Sequence, residues 1–198
     1  MSARLIVPHR GLVSGKTRLA SVLDAGERMA LAERLLDAVL RAARNAVEDV
    51  VVISPAVELE PLVVAAGARL VVQRGMGLNQ GLDQAREAAI GDGIDLLAVL
   101  HGDLPNLGAE DVRALLMAAE EPRSVAIAPD RAGTGTNGLA LRPPEIIGFR
   151  FGSGSLAAHR EGARAAGVEP VLVKRDALAF DVDTPQDLAR WLELGSAA

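Results

Sequence analysis

Leu96-Leu97-Ala98-Val99-Leu100, running straight into His101-Gly102-Asp103-Leu104-Pro105, is the stretch on which the fold turns. Five consecutive apolar residues without alternation suit a strand covered on both faces, as in parallel sheets. Val50–Ile53 and Val125–Ala128 have the same character, and Leu5–Val7, Leu70–Gln73, Leu139–Leu141 and Val171–Lys174 read as further strands. Helical segments lie between them. Glu27–Asn45 puts Leu31, Leu35, Leu36, Val39 and Leu40 on one face and Arg34, Asp37, Arg41 and Arg44 on the other. Glu58–Ala66 is helical up to a stop near Gly67, and Asn79–Ile90, Ala109–Glu120 and Gly154–Ala166 follow. Thr184 can cap a last helix, with Pro185 at its first position and Asp187 in its first turn. This alternation implies an α/β fold, one domain over 1–198, with a mostly parallel sheet and helices on both faces. Gly195–Ala198 is expected to fray.

Composition narrows the function. Of 198 residues, 49% are hydrophobic but only 2% aromatic, so the core is built from Ala, Val, Leu and Ile. Three Phe, one Trp and no Tyr offer no platform for stacking nucleic-acid bases, and a net charge of −5 also argues against a nucleic-acid partner. With no Cys, disulfides, thiolate metal sites and Cys nucleophiles are excluded. No apolar run approaches the roughly 18 residues of a membrane span, and Met1–Pro8 is too short for a signal peptide. A cytoplasmic protein without membrane contact is expected, with monomer and homodimer both open.

Open α/β sheets bind ligands beyond the carboxyl ends of their strands, so the loops there carry the functional reading. Gly11-Leu-Val-Ser-Gly-Lys16-Thr17, after the first strand, resembles a phosphate-binding Walker A loop. That loop needs four residues between its first Gly and the Gly-Lys pair, and this one has three. A P-loop ATPase is therefore disfavoured, but the chemistry survives in milder form. Arg10, Lys16 and Arg18 form a cationic loop able to meet triphosphate oxygens.

Asp103 stands at the end of an apolar strand beside Gly102, placed to bind a metal. Asp181 and Asp183 flank Val182, so in an extended segment both carboxylates face one side while Val182 points into the core. Three carboxylates, with no Cys and no ligand-like His spacing, favour a hard cation, Mg²⁺ or Mn²⁺. A turn or helix cap is the ordinary alternative for each Asp taken singly.

Two Gly-rich loops suit a small anion. Gly133-Thr-Gly-Thr136-Asn137 precedes a strand, and Phe151-Gly152-Ser-Gly-Ser155 opens a helix, where free amides and hydroxyls can hold a carboxylate or phosphate. His159, one turn into that helix, is given no catalytic role. Arg74-Gly-Met-Gly-Leu-Asn79-Gln80 opens another helix, where Asn79 is suited either to cap it or, with Gln80, to read a purine edge.

In order, the cationic loop, Gly-Leu-Asn, Gly-Asp-Leu-Pro, Gly-Thr-Gly-Thr, Phe-Gly-x-Gly-Ser and Asp-x-Asp-Thr-Pro resemble the 2-phospho-L-lactate and phosphoenolpyruvate guanylyltransferases, the CofC/FbiD family of coenzyme F-420 biosynthesis. The likeness runs from about Leu5 to about Leu192. It implies a Rossmann-like GT-A nucleotidyltransferase fold and a reaction of GTP with a small phosphorylated acid. By motif, Asp103, Asp181 and Asp183 match the metal-binding acids, and Thr136, Asn137, Gly152 and Ser155 match positions that hold the acceptor's carboxylate. Two departures stand out. Arg10, in Pro8-His9-Arg10, takes the place of the usual Lys, and Asn137 that of a frequent second Thr.

The expected reaction is attack of an acceptor phosphate oxygen on the α-phosphorus of GTP, releasing pyrophosphate. Lys16 and the three Asp are the catalytic group. Arg10, Lys16, Arg18, Asn79 and Gln80 are the nucleotide-binding group. The family's bacterial members and the Ala/Arg-rich composition point towards phosphoenolpyruvate rather than 2-phospho-L-lactate, and 3-phospho-D-glycerate stays open. The rivals are a molybdopterin or sugar-phosphate nucleotidyltransferase of the same fold, a P-loop ATPase, and a nucleotide-binding module without catalysis.

Overall fold

The computed structural model describes residues 2–13 and 15–196. A single seven-stranded sheet organises them, in the spatial order β3-β2-β1-β4-β6-β5-β7. The strands are β1 (Ala3–Pro8), β2 (Asp49–Ser54), β3 (Arg69–Val72), β4 (Leu96–Leu100), β5 (Ser124–Pro129), β6 (Thr136–Arg142) and β7 (Val171–Leu172). β1 pairs in parallel with β2 and β4, β2 with β3, and β5 with β7. β6 runs antiparallel to both β4 and β5. The mostly parallel expectation therefore holds, with one reversed strand inserted beside the centre.

Apolar strands are buried here because both sheet faces are covered. Leu5, Val7, Leu96, Ala98, Leu100, Ala126, Ala128 and Ala140 face one hydrophobic cluster. Their sequence neighbours Ile6, Leu97, Val99, Val125, Ile127, Leu139 and Leu141 face another. Helix α1 (Ala25–Arg44) brings Leu36, Val39 and Leu40 to the first face, and α4 (Ala109–Met117) brings Val112, Leu115 and Leu116. Helices α3 (Leu78–Gly91) and α5 (Ser155–Ala165) supply Leu82, Ala85 and Ala89, and Leu156 and Ala163, to the second. A third cluster joins Leu19, Leu31, Leu35, Phe180 and Val182. At about 25 cal/mol per Å² of apolar surface, the burial of such side chains is the main force holding the layers together.

Several boundaries shift from expectation. α1 begins two residues earlier than expected, because Asp24 caps it in a box with Glu27. The expected helix Glu58–Ala66 is a 3₁₀ turn, Val57–Leu59, followed by α2 (Glu60–Ala65). α4 stops at Met117 rather than Glu120, and β7 stops at Leu172 rather than Lys174. A short α6 (Asp176–Ala179) was not anticipated. The last helix, α7 (Pro185–Ser196), continues into the segment expected to fray, of which Ala197 and Ala198 lie outside the described residues. After Lys16 comes only a 3₁₀ turn, Thr17–Leu19, and the next α-helix begins at Ala25. A P-loop requires its helix to open at the Lys, so none is formed here. No described helix is long and apolar enough to cross a membrane.

Candidate active site

Asp103 lies three residues beyond β4, where the chain turns through Gly102. Gly102 is buried, and a Cβ there would come within 3.3 Å of His9, Leu36 and Val7. Asp181 and Asp183 sit between α6 and α7, with Val182 fully buried between them, as the same-side geometry requires. The Val182 amide donates to the Asp103 carbonyl at 3.3 Å, which ties the two acidic segments together. One oxygen from each of Asp103, Asp181 and Asp183 lies within 4.8 Å of the others.

The electrostatics are those of crowded negative charge. Lys16 Nζ donates to Asp103 Oδ2 at 2.7 Å and to Asp183 Oδ1 at 2.9 Å. Burial alone would raise the Asp103 carboxyl, but the Lys16 ammonium outweighs it and holds Asp103 below its usual range. Lys16 is itself raised, burial being overcome by Asp103 and Asp183. Asp181 is pushed up, first by burial and then by the charge on Asp103. Asp103 Oδ1 is shut off from solvent and has no hydrogen-bond partner among the described residues. An all-oxygen set that includes an unpartnered carboxylate oxygen fits a hard divalent cation.

Asp187 braces this segment. It is 7% exposed, and its Oδ2 accepts from the Thr184 amide at 2.9 Å, the Thr184 hydroxyl at 2.7 Å and, more weakly, the Asp183 amide at 3.4 Å. Its Oδ1 accepts from Arg131 Nη2 at 2.5 Å. Arg131 also lies over the Phe180 ring, 5.3 Å from its centroid. Sequence reading placed Asp187 only in a first turn and left Arg131 out; neither partner is near the other along the chain.

Of the two Gly-rich loops, the first meets the acids through Asn137. Asn137 Nδ2 donates to the Leu178 carbonyl at 3.1 Å and to Asp181 Oδ1 at 3.2 Å. Thr136, Asn137 and Ser155 are all buried, so their side chains support the site from beneath. Ser155 also uses its amide on the Gly152 carbonyl at 3.2 Å, and Leu156 donates to the Thr134 carbonyl at 3.1 Å, which locks the two loops together. These amides are therefore not open as a bare helix end would be. Gly152, Ser153 and Gly154 are exposed, and their amides find no partner among the described residues. Gly152 has φ +132, and a Cβ there would meet nothing within 4 Å.

His159 is fully buried behind Thr136. The Arg150 amide donates to its Nε2 at 3.0 Å, so the neutral ring carries its proton on Nδ1, 3.0 Å from Thr136 Oγ1. Burial, then His101 and Arg150, push it down to about 4. Phe151 packs between two histidines, 5.4 Å from His101 and 4.8 Å from His159 between ring centroids.

The expected nucleotide-binding residues divide. Lys16 turns inward onto the acids, whereas Arg10 and Arg18 are exposed. Asn79 does not cap α3; Gly77 is the capping residue, and the Asn79 amide is bound to the Phe151 backbone. Gln80 is exposed at the start of α3. Its loop is shaped instead by Gln73, whose Nε2 donates to the carbonyls of Gly75 and Gly77, each at 2.8 Å.

Known proteins resemble this chain in sequence and in fold. A phosphoenolpyruvate guanylyltransferase of Sphaerobacter thermophilus is 42% identical over 190 residues, covering 95% of this chain and 91% of that protein. One from Rubrobacter xylanophilus is 41% identical, covering 96% and 93%. A 3-phospho-D-glycerate guanylyltransferase of Phenylobacterium zucineum is 41% identical, covering 93% and 87%. Among solved structures, a nucleotidyl transferase from Methanothermobacter thermautotroptrophicus superposes with a TM-score of 0.70 at 18% identity, covering 98% and 97%, which supports the fold. The family model described as guanylyl transferase CofC like matches residues 3–197. With that match over nearly the whole length and relatives above 40% identity, this chain belongs to the CofC-like guanylyl transferase family.

Proposed function

We propose that this chain transfers GMP from GTP to phosphoenolpyruvate in the cytoplasm, releasing pyrophosphate, as a step towards coenzyme F-420. Family membership supports the guanylyl transfer. The observation that carries the reading of the site is the hydrogen bond from Asn137 to Asp181, which joins the acceptor strand to the acid trio. An acceptor held by the Gly152–Ser155 loop would thus have its phosphate directed at the carboxylates.

The obstacle to such a reaction is repulsion between two phosphate groups. Asp103, Asp181 and Asp183 would hold Mg²⁺, which would supply neutralising positive charge to the reacting phosphates. Arg10 and Arg18 lie exposed on the loop after β1, suited to phosphate oxygens of the nucleotide. The unpartnered amides of Gly152, Ser153 and Gly154 suit the acceptor's carboxylate. No side chain has to remove a proton, because a phosphate ester with a second pKa near about 6 already carries the attacking lone pair at neutral pH. His159, with both ring nitrogens engaged and its basicity depressed, supports Thr136 rather than acting as a base.

A pyrophosphate-release screen tests the proposal, pairing four nucleoside triphosphates with phosphoenolpyruvate, 2-phospho-L-lactate, 3-phospho-D-glycerate and a sugar phosphate. Release with GTP and phosphoenolpyruvate above all other pairs is expected. Release only with the sugar phosphate would move the chain to another nucleotidyltransferase reaction.

A further inference from the structure

Lys16 carries its charge inward. Its neighbours Thr17 and Arg18 are exposed, yet its own side chain is only 8% exposed and its ammonium is shared by Asp103 and Asp183. The backbone there is left-handed, φ 55 and ψ 33, a conformation that residues with a Cβ adopt at a cost and that clusters at functional sites. Among the described residues between the end of β1 at Pro8 and the start of α1 at Ala25, the only regular element is the 3₁₀ turn Thr17–Leu19. The Lys16 carbonyl accepts from the Leu19 amide of that turn at 2.9 Å, and the two ion pairs hold its side chain.

Those ion pairs draw on the same carboxylates whose oxygens gather within 4.8 Å. A divalent cation bound there and the Lys16 ammonium would draw on the same carboxylates and repel each other, so each weakens the other's hold. The ammonium is also an incomplete partner. It brings one positive charge to three carboxylates and leaves Asp103 Oδ1 without a hydrogen bond among the described residues.

We infer that Lys16 is a displaceable counter-ion of the acid trio: it occupies Asp103 and Asp183 while nucleotide is absent, and yields them to a divalent cation when a triphosphate is present to receive its ammonium. Metal and nucleotide are then coupled through one side chain, and each raises the affinity of the other. The inference rests on the divalent-cation reading of the trio.

Mn²⁺ binding, followed by the electron paramagnetic resonance of the free ion, separates the two. It is measured on the whole chain with and without α,β-methylene-GTP. Without nucleotide, Lys16→Met and Lys16→Gln should bind Mn²⁺ at least about fivefold more tightly than the unaltered protein, the lower end of usual coupling factors. The gain on adding the analogue should shrink in both variants. Asp103→Asn should lose Mn²⁺ in either condition. If Asp103→Asn loses the ion but the Lys16 variants bind it no more tightly, the trio stands and the counter-ion role falls. If Asp103→Asn binds Mn²⁺ normally, the cation reading falls as well.

The unaltered protein gives an independent answer. It contains two lysines, Lys16 and Lys174, so ε-¹³C-lysine labelling yields two resolvable NMR signals. Mg²⁺ with the GTP analogue should shift the Lys16 signal and leave that of Lys174. An unmoved Lys16 signal at saturation overturns the inference, whatever the variants do.

Discussion

Asn79 grips the backbone of Phe151 from both sides: its Oδ1 accepts from the Phe151 amide at 2.9 Å, and its Nδ2 donates to the Phe151 carbonyl at 3.1 Å. One side chain at the start of α3 thereby fixes the first residue of the Gly-rich loop proposed to hold the acceptor, which lies 72 positions away. Asn79→Ala should cost roughly 1–3 kcal/mol, the scale for stranding partly buried backbone groups. It should raise the KM for the acceptor more than that for GTP. Thermal melts and paired KM measurements check this. A rise confined to the GTP KM would restore Asn79 to the purine.

The acid trio should be indispensable while the protein stays folded. Asp103→Asn and Asp183→Asn should each lower turnover by about 10²–10³-fold or more, as when an electrostatic stabiliser is lost at a reacting centre. Chelation should abolish activity, and Mg²⁺ or Mn²⁺ should restore it. Near-normal turnover in either variant, with circular dichroism unchanged, contradicts the assignment.

Gly152 occupies a backbone region that is essentially reserved for glycine, with φ +132, although a Cβ there would have open space around it. Gly152→Ala should therefore act through strain, roughly 1–3 kcal/mol, by reshaping the loop. Gly152→Val adds bulk where the acceptor's carboxylate would approach. Both should weaken phosphoenolpyruvate use, the Val variant more, with binding of the GTP analogue retained. Calorimetry with the analogue and acceptor KM values decide; equal loss for both ligands counts against an acceptor role.

His159 predicts an acid-labile fold. Its folded pKa of about 4 lies below the ordinary 6.5, so between these values the unfolded chain takes up a proton that the folded one refuses. Stability is complete above pH 6.5 and declines as pH falls towards about 4, by on the order of 3 kcal/mol from this group. His159→Asn, which cannot titrate, should melt lower at neutral pH but lose less between pH 7 and pH 4.5. His9, also depressed to about 4, keeps some slope in the variant. Equal losses in both proteins contradict the account.

What the sequence made legible was whatever depends on neighbours along the chain. Leu96–Leu100 is wholly buried, so its apolar run identified the central strand, and the spacing of Asp181 and Asp183 revealed a same-side pair. The family likeness came from short motifs of the same local kind. The reversal of β6 was hidden, because strand direction depends on pairing with distant β4 and β5. Its polar start at Thr136 and Asn137 also looked like loop, since their burial depends on His159, Leu178 and Asp181. The four-residue α6 is too short to show a period. The ion pairs of Lys16 were not legible, because its carboxylate partners lie 87 and 167 positions away. The brace from Arg131 to Asp187 spans 56 positions and was invisible for the same reason.

The central claim, guanylyl transfer to a small phosphorylated acid, is tested most directly by mass spectrometry of the product. Purified protein is incubated with GTP, Mg²⁺ and an equimolar mixture of phosphoenolpyruvate, 2-phospho-L-lactate and 3-phospho-D-glycerate. The account predicts one dominant product, with the mass of GMP joined to phosphoenolpyruvate, formed in step with pyrophosphate. Dominance of another acid's product would change the acceptor alone. No guanylylated acid at all, from folded protein that binds GTP, would contradict the account.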